Sequence, residues 1–199
     1  MAKALFLIWA FCMHDLEFIN SEACSRTLTT IRKADQKDIR VLSKKLLTLL
    51  ENKNSQVYQD NVAKFGIPQD YVKKAFAEET LIQAATAGKA TFYLALENNE
   101  IMGFAQTIQQ NANTVELDRI IILPEHTRKG LGTQLLNQVL IDQEQKGINN
   151  IIVNTGKEEN QARRFYEKNG FKQIKETTID APWGKKLALV TYQLCLRHA

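Results

Sequence analysis

The segment ILPEHTRKGLGT at 122–133 has the residue types and spacing to hold an anion. An apolar strand runs into a turn carrying Gly130 and Gly132, and a helix opens there. The first N–H groups of a helix have no intrahelical partner, and the helix dipole adds partial positive charge. Glycines let an anion approach that backbone, while Arg128 and Lys129 stand beside it, so the segment reads as a phosphate cradle. On Gly-x-Gly alone, a left-handed turn with solvated basic residues is the competing reading. The pattern is neither a Walker loop nor a dinucleotide fingerprint. Just upstream, Glu116 and Asp118 stand two apart on the same strand, hence on one face. Such a pair can accept a proton, hold a cationic group or lie solvated at the strand start.

The surrounding pattern supplies the elements that must position these groups. Residues 27–33 read as a β-branched strand, and Asp35 caps a helix with Ile39, Leu42, Leu46, Leu49 and Leu50 on one face. Residues 55–88 read as helical with a break at 66–68. Strands at 91–96 and 101–108 form a hairpin about Asn98 and Asn99. A strand at 115–123 leads into the cradle and a helix at 131–146. Then come a strand at 151–155, a helix at 160–169 and strands at 171–179 and 187–196. This order predicts an α/β domain with a mixed, largely antiparallel sheet flanked by helices.

About thirty residues after the cradle stands NQARRFYEKNGF at 160–171. With this second motif the sequence resembles the GNAT superfamily of acetyl-CoA-dependent N-acetyltransferases. That family has a Val-x-Pro strand end, Arg or Gln three residues on, then Gly-x-Gly or Gly-x-Ala opening a helix. Its later motif is N-x-x-A-x-x-F-Y-E-K-x-G-F. Both occur here in order, and the resemblance spans roughly residues 27–196. Thr127 stands where the family has Arg or Gln, and Asn160 is one position closer to Ala162 than the family's Asn.

The resemblance implies a site. The fourth and fifth strands run parallel and splay, and the pantetheine arm of acetyl-CoA pairs with strand backbone at Ile120, Ile121 and Ile122. The pyrophosphate lies over Thr127, Arg128, Lys129, Gly130, Leu131, Gly132 and Thr133, with Asn160 a further cofactor contact. Tyr166 matches the tyrosine that protonates the departing thiolate, and Glu116 matches a glutamate that serves some relatives as base. Glu116, Asp118 and Trp183 are candidate acceptor contacts, Trp183 being equally an anchor of its loop. Direct attack by a small-molecule primary amine is the expected reaction, and the paired carboxylates suggest a cationic, polyamine-like acceptor. A protein N-terminus or lysine, or a non-catalytic acetyl-CoA sensor, are the alternatives.

Composition bounds the rest. The 199 residues carry a net charge of +4 with basic and acidic residues interspersed, which argues against a nucleic-acid partner. Cys12, Cys24 and Cys195 lack paired spacing, and His14, His126 and His198 are scattered, so neither a disulfide framework nor a metal site is expected. A cytoplasmic location, no membrane partner and a monomer or homodimer are the expectations. The domain is expected over 26–199. The apolar 1–25 segment reads as an added helix, an upstream extension or a secretion signal, with Asp15 and Glu17 counting against the last.

Overall fold

Asp35 opens the first helix, α1 (Gln36–Glu51), by a reciprocal cap. Its carboxylate accepts from the Asp38 N–H, and the Asp38 carboxylate accepts from the Asp35 N–H. The face predicted from the spacing is the buried one, with Leu42, Leu46 and Leu50 fully enclosed. The structure, a computed structural model, describes residues 29–196. The 1–25 segment lies outside the described residues.

Among the described residues seven strands form one sheet in the order β1-β2-β3-β4-β5-β7-β6. They are β1 (Thr30–Lys33), β2 (Ala90–Glu97), β3 (Glu100–Asn111), β4 (Thr114–Ile122), β5 (Asn150–Gly156), β6 (Lys172–Asp180) and β7 (Lys186–Cys195). Every pairing is antiparallel except β4 with β5. Asn98 and Asn99 turn the β2–β3 hairpin with φ of 51° and 64°, the left-handed pair that a two-residue hairpin turn requires.

Helices pack on both faces. On one lie α5 (Leu131–Gln145) and α6 (Asn160–Lys168), over a core of Leu117, Ile120, Ile122, Leu135, Val153, Phe165, Tyr166 and Tyr192 among others. On the other lie α1, α3 (Gln69–Phe76) and α4 (Glu78–Thr86), over Phe92, Leu94, Phe104 and Ile121. This second core draws its strand residues from β2, β3 and β4, so the same face of β5, β7 and β6 carries half-exposed or exposed side chains.

Within 55–88 the chain breaks more often than its pattern suggested. The short helix α2 (Gln56–Tyr58) widens into a π-helical turn, Gln59–Ala63. Gly66, at φ 59°, then reverses the chain before α3. Ala77 is extended between α3 and α4, where Glu78 and Glu79 complement the dipole of the next helix. A 3-10 turn at Pro124–His126, not foreseen, joins β4 to the cradle. Among the described residues no helix is long and apolar enough to cross a membrane.

A buried polar knot ties β1 and β2 to α5. The Tyr93 hydroxyl donates to Asp142 at 2.5 Å, Lys33 pairs with the same carboxylate, and the Lys146 ammonium lies 2.8 Å from it. Burial alone would raise the Asp142 pKa, but the bonds from Lys146, Lys33 and Tyr93 outweigh it and hold the carboxyl below its usual range.

Candidate active site

The site is built where β4 and β5 part. Their parallel pairing covers only Thr114 with Asn150, Val115 with Ile151 and Glu116 with Ile152. From Leu117 to Ile122 the β4 edge has no β5 partner, while β5 from Val153 to Gly156 pairs with β7 alone. The fork leaves strand backbone at Ile120, Ile121 and Ile122 with unused pairing capacity on one side, as β-augmentation by an extended ligand arm requires.

The cradle sits at the far end of the fork. Arg128 and Gly130 both take left-handed backbone, φ 64° and 71°. Gly130 is the N-cap of α5, and among the described residues no side chain caps this helix. The N–H groups of Leu131, Gly132 and Thr133 therefore begin the helix without a side-chain acceptor. Arg128, Lys129 and Gly130 are exposed, and Gly132 is buried in the first turn. Thr127 spends both its hydroxyl and its backbone N–H on the Pro124 carbonyl, at 3.1 and 3.5 Å, closing the turn that leads into the cradle. An uncapped, glycine-opened helix start with two flanking cations fits a diphosphate.

Tyr166 lies on α6, fully buried between Phe165, Phe171 and Tyr192. Burial, and secondarily the Asp118 charge, push its phenol well above the ordinary tyrosine range. It is thus protonated across the neutral range and can serve only as an acid there. Asn160, the first residue of α6, is exposed, whereas Glu159 before it is buried and pairs with Lys64 at 2.5 Å.

Asp118 is an extra residue in β4. Gln106 of β3 faces Arg119 and the next residue, Thr107, faces Leu117, so Asp118 is bulged out of the ladder. The bulge resets the alternation, so Leu117 and Ile120 share one core although three residues apart. It also lets Asp118 and Arg119 pair, Nε to Oδ2 at 2.6 Å, both almost wholly buried. The Arg119 guanidinium lies 5.3 Å from the Phe76 ring centre on α3. Burial raises the Asp118 pKa despite the Arg119 charge. Of the two carboxylates expected to share a face, Asp118 is thus buried and paired with Arg119, while Glu116 is half-exposed.

Glu116, the last β4 residue paired with β5, is half-exposed and both its oxygens accept hydrogen bonds. Asn154 Nδ2 donates to one at 2.8 Å and Gln110 Nε2 to the other at 2.6 Å. Aromatic residues join the first helices to the last strands. Trp183, on the β6–β7 loop, packs edge-on against Tyr71 of α3 at 5.9 Å and joins the second core, which anchors its loop. Phe65 presses on the end of β5, where a Cβ on Gly156 would lie 3.2 Å from its ring. Arg119, Asn154 and Gln110 were not singled out from sequence. Arg119 and Asn154 carried one signal, a polar residue inside an apolar strand run.

A family model for the acetyltransferase (GNAT) family matches residues 55–171. The chain belongs to this GNAT family. A curated relative, the [ribosomal protein bS18]-alanine N-acetyltransferase of Haemophilus influenzae, is 37% identical over 81 residues, 40% of this chain and 53% of the relative. The chain thus spans about half the length of that curated relative. Two solved structures share the fold. A GNAT acetyltransferase from Desulfovibrio desulfuricans has a TM-score of 0.63 at 19% identity, covering 85% of this chain and 100% of its own. YncA from Salmonella typhimurium, solved with its cofactor acetyl-CoA, has a TM-score of 0.61 at 20% identity, covering 86% and 96%. The seven-stranded mixed sheet flanked by helices is thus the GNAT fold.

Tertiary structure also gathers Glu100, Glu125 and His126, whose ligand atoms lie within 4.8 Å of one another. The histidine spacing gave no hint of this group. The Lys45 ammonium lies 3.0 Å from Glu100 and 3.8 Å from Glu125, supplying a cation from within the chain.

Proposed function

We propose that this protein transfers the acetyl group of acetyl-CoA to a primary amine by direct attack in a ternary complex. The fork between β4 and β5 carries the reading, because it leaves a strand edge open directly between an anion cradle and a buried phenol. In this reading the α5 N-terminus with Arg128 and Lys129 holds the pyrophosphate, and Ile120 to Ile122 pair with the pantetheine arm. Glu116 accepts the amine proton and Tyr166 gives its proton to the leaving sulfur. The acceptor is a small-molecule amine, read from the aromatic residues Phe65, Tyr71 and Trp183.

A second reading, acetylation of a protein amine, is favoured by one observation. The face of β5, β7 and β6 beside Glu116 bears no helix among the described residues, which leaves a broad floor beyond the fork. The relative that acetylates a ribosomal-protein alanine points the same way.

A free-thiol assay with acetyl-CoA against polyamines, amino acids, aminoglycosides and N-terminal or lysyl peptides tests both. Thiol release with a free amine at higher kcat/KM than with any peptide supports the first reading, and the reverse order supports the second. No acceptor-dependent release with any class, under conditions where acetyl-CoA binds, contradicts both. In Glu116→Gln, turnover should fall most at neutral pH and recover partly as rising pH supplies free amine. Unchanged turnover across the range removes Glu116 from catalysis.

A further inference from the structure

Asn154 occupies a particular place in the fork. The β4–β5 ladder ends at the pair Glu116 and Ile152, and Asn154 is the next β5 residue on the same face. Its side chain reaches back across the opening, Nδ2 donating to Glu116 Oε1 at 2.8 Å. Its other end is held by Thr191, directly opposite on β7, whose hydroxyl donates to Oδ1 at 2.7 Å. The direction of this chain is fixed chemically. An ionised carboxylate only accepts, so the Asn154 amine must face Glu116 and its oxygen must face Thr191, which then donates. The second carboxylate oxygen differs, for its partner, Gln110, is an exposed side chain near the end of β3.

We infer that Asn154, oriented by Thr191, is the positioning residue for Glu116: it pins Oε1 so that Oε2 faces the acceptor, whose amine displaces Gln110. The inference rests on the reading of Glu116 as the base. As the amine nitrogen bonds to the acetyl carbon and the carbon–sulfur bond breaks, one N–H proton passes to Oε2. The Tyr166 phenol proton goes to sulfur, and solvent returns the proton from Glu116 to Tyr166. A carboxylate free to rotate would lose its aim, and small misplacements of a catalytic group carry large rate costs. Asn154 touches none of the reacting atoms in this scheme.

The test is a double-mutant cycle with steady-state kinetics on the best acceptor found in the thiol assay. Asn154→Ala should lower kcat about 10- to 100-fold with the acetyl-CoA KM unchanged. Thr191→Val should lower kcat about 5-fold, as loss of one neutral hydrogen bond would, and Thr191→Ser should restore it. In a Glu116→Gln background, Asn154→Ala should cost less than about a further 2-fold, because the group it aims is already gone. A full additional loss in that background overturns the proposal, as does a Thr191→Ser variant no better than Thr191→Val. If Glu116→Gln loses turnover but Asn154→Ala and Thr191→Val do not, the positioning role fails and the base stands. If Glu116→Gln keeps full turnover, the base reading fails and takes the proposal with it. Should Asn154→Ala not fold, the Thr191 pair in both backgrounds decides.

Discussion

Asp118 and Arg119 are neighbours in the chain and partners in an ion pair, Nε to Oδ2 at 2.6 Å. Regular strand geometry sends consecutive side chains to opposite faces. Only the extra residue in β4 lets them meet. The pair stands just beyond the fork, between the Phe76 ring on α3 and the Tyr166 phenol that feels the Asp118 charge.

Removing one partner of such a pair leaves the other buried and uncompensated. Arg119→Met should cost about 3–5 kcal/mol of stability near neutral pH, measured by urea unfolding. Asp118 already titrates above its unfolded value, and loss of Arg119 raises it further. A raised carboxyl stabilises the fold below its unfolded pKa and loses that contribution as pH rises. The variant's deficit should therefore be smallest near pH ~4 and widen toward neutrality. A deficit independent of pH would show that the packing on Phe76, rather than the charge, is what Arg119 supplies.

Tyr166→Phe should lower turnover on the order of 10²-fold or more while leaving acetyl-CoA affinity nearly intact. Because burial and the Asp118 charge hold the phenol above its ordinary range, the wild-type rate should show no loss from this group up to about pH 10. Wild-type turnover in the Phe variant, with a good acceptor, would exclude the acid role.

Gly132→Asp puts a carboxylate into the first turn of an uncapped helix start. Acetyl-CoA affinity measured by calorimetry should fall at least about 10-fold, since the added charge opposes the pyrophosphate where the helix dipole had favoured it. Undiminished affinity would move the cradle elsewhere.

Asp142→Asn tests the knot between α5 and the first strands. The native carboxyl is held below its usual range, so its stabilisation is present above the unfolded pKa of about 3.9 and fades as pH falls through the folded value. The variant should melt several degrees below wild type at pH ~7 and approach it in acid. Equal melting temperatures at neutral pH would show that Lys33, Lys146 and Tyr93 are as well satisfied without the charge.

The sequence by itself determined the strands, the three helices α1, α5 and α6, and their order, because those depend on short-range patterns. Apolar spacing at Ile39, Leu42 and Leu46, the Asp35 cap, the Asn98–Asn99 turn and the two glycine-ended motifs each act within a few residues. It also marked the glycine-opened helix start at 128–133 and Tyr166 as candidate site residues, since that reading rests on local backbone and a motif. Tertiary structure decided what depends on register between distant strands. Two-residue spacing set Asp118 beside Glu116 as a free carboxylate, but the β3–β4 register bulges Asp118 and gives it to Arg119. Asn154 reads as one polar residue in an apolar run until β4 and β5 part just after Glu116 and bring its amide to the carboxylate. The Glu100, Glu125 and His126 group likewise forms only when the start of β3 meets the 3-10 turn after β4. Neither a bulge nor the end of a ladder is written in one strand's own residues, since each is a property of two strands competing for the same hydrogen bonds.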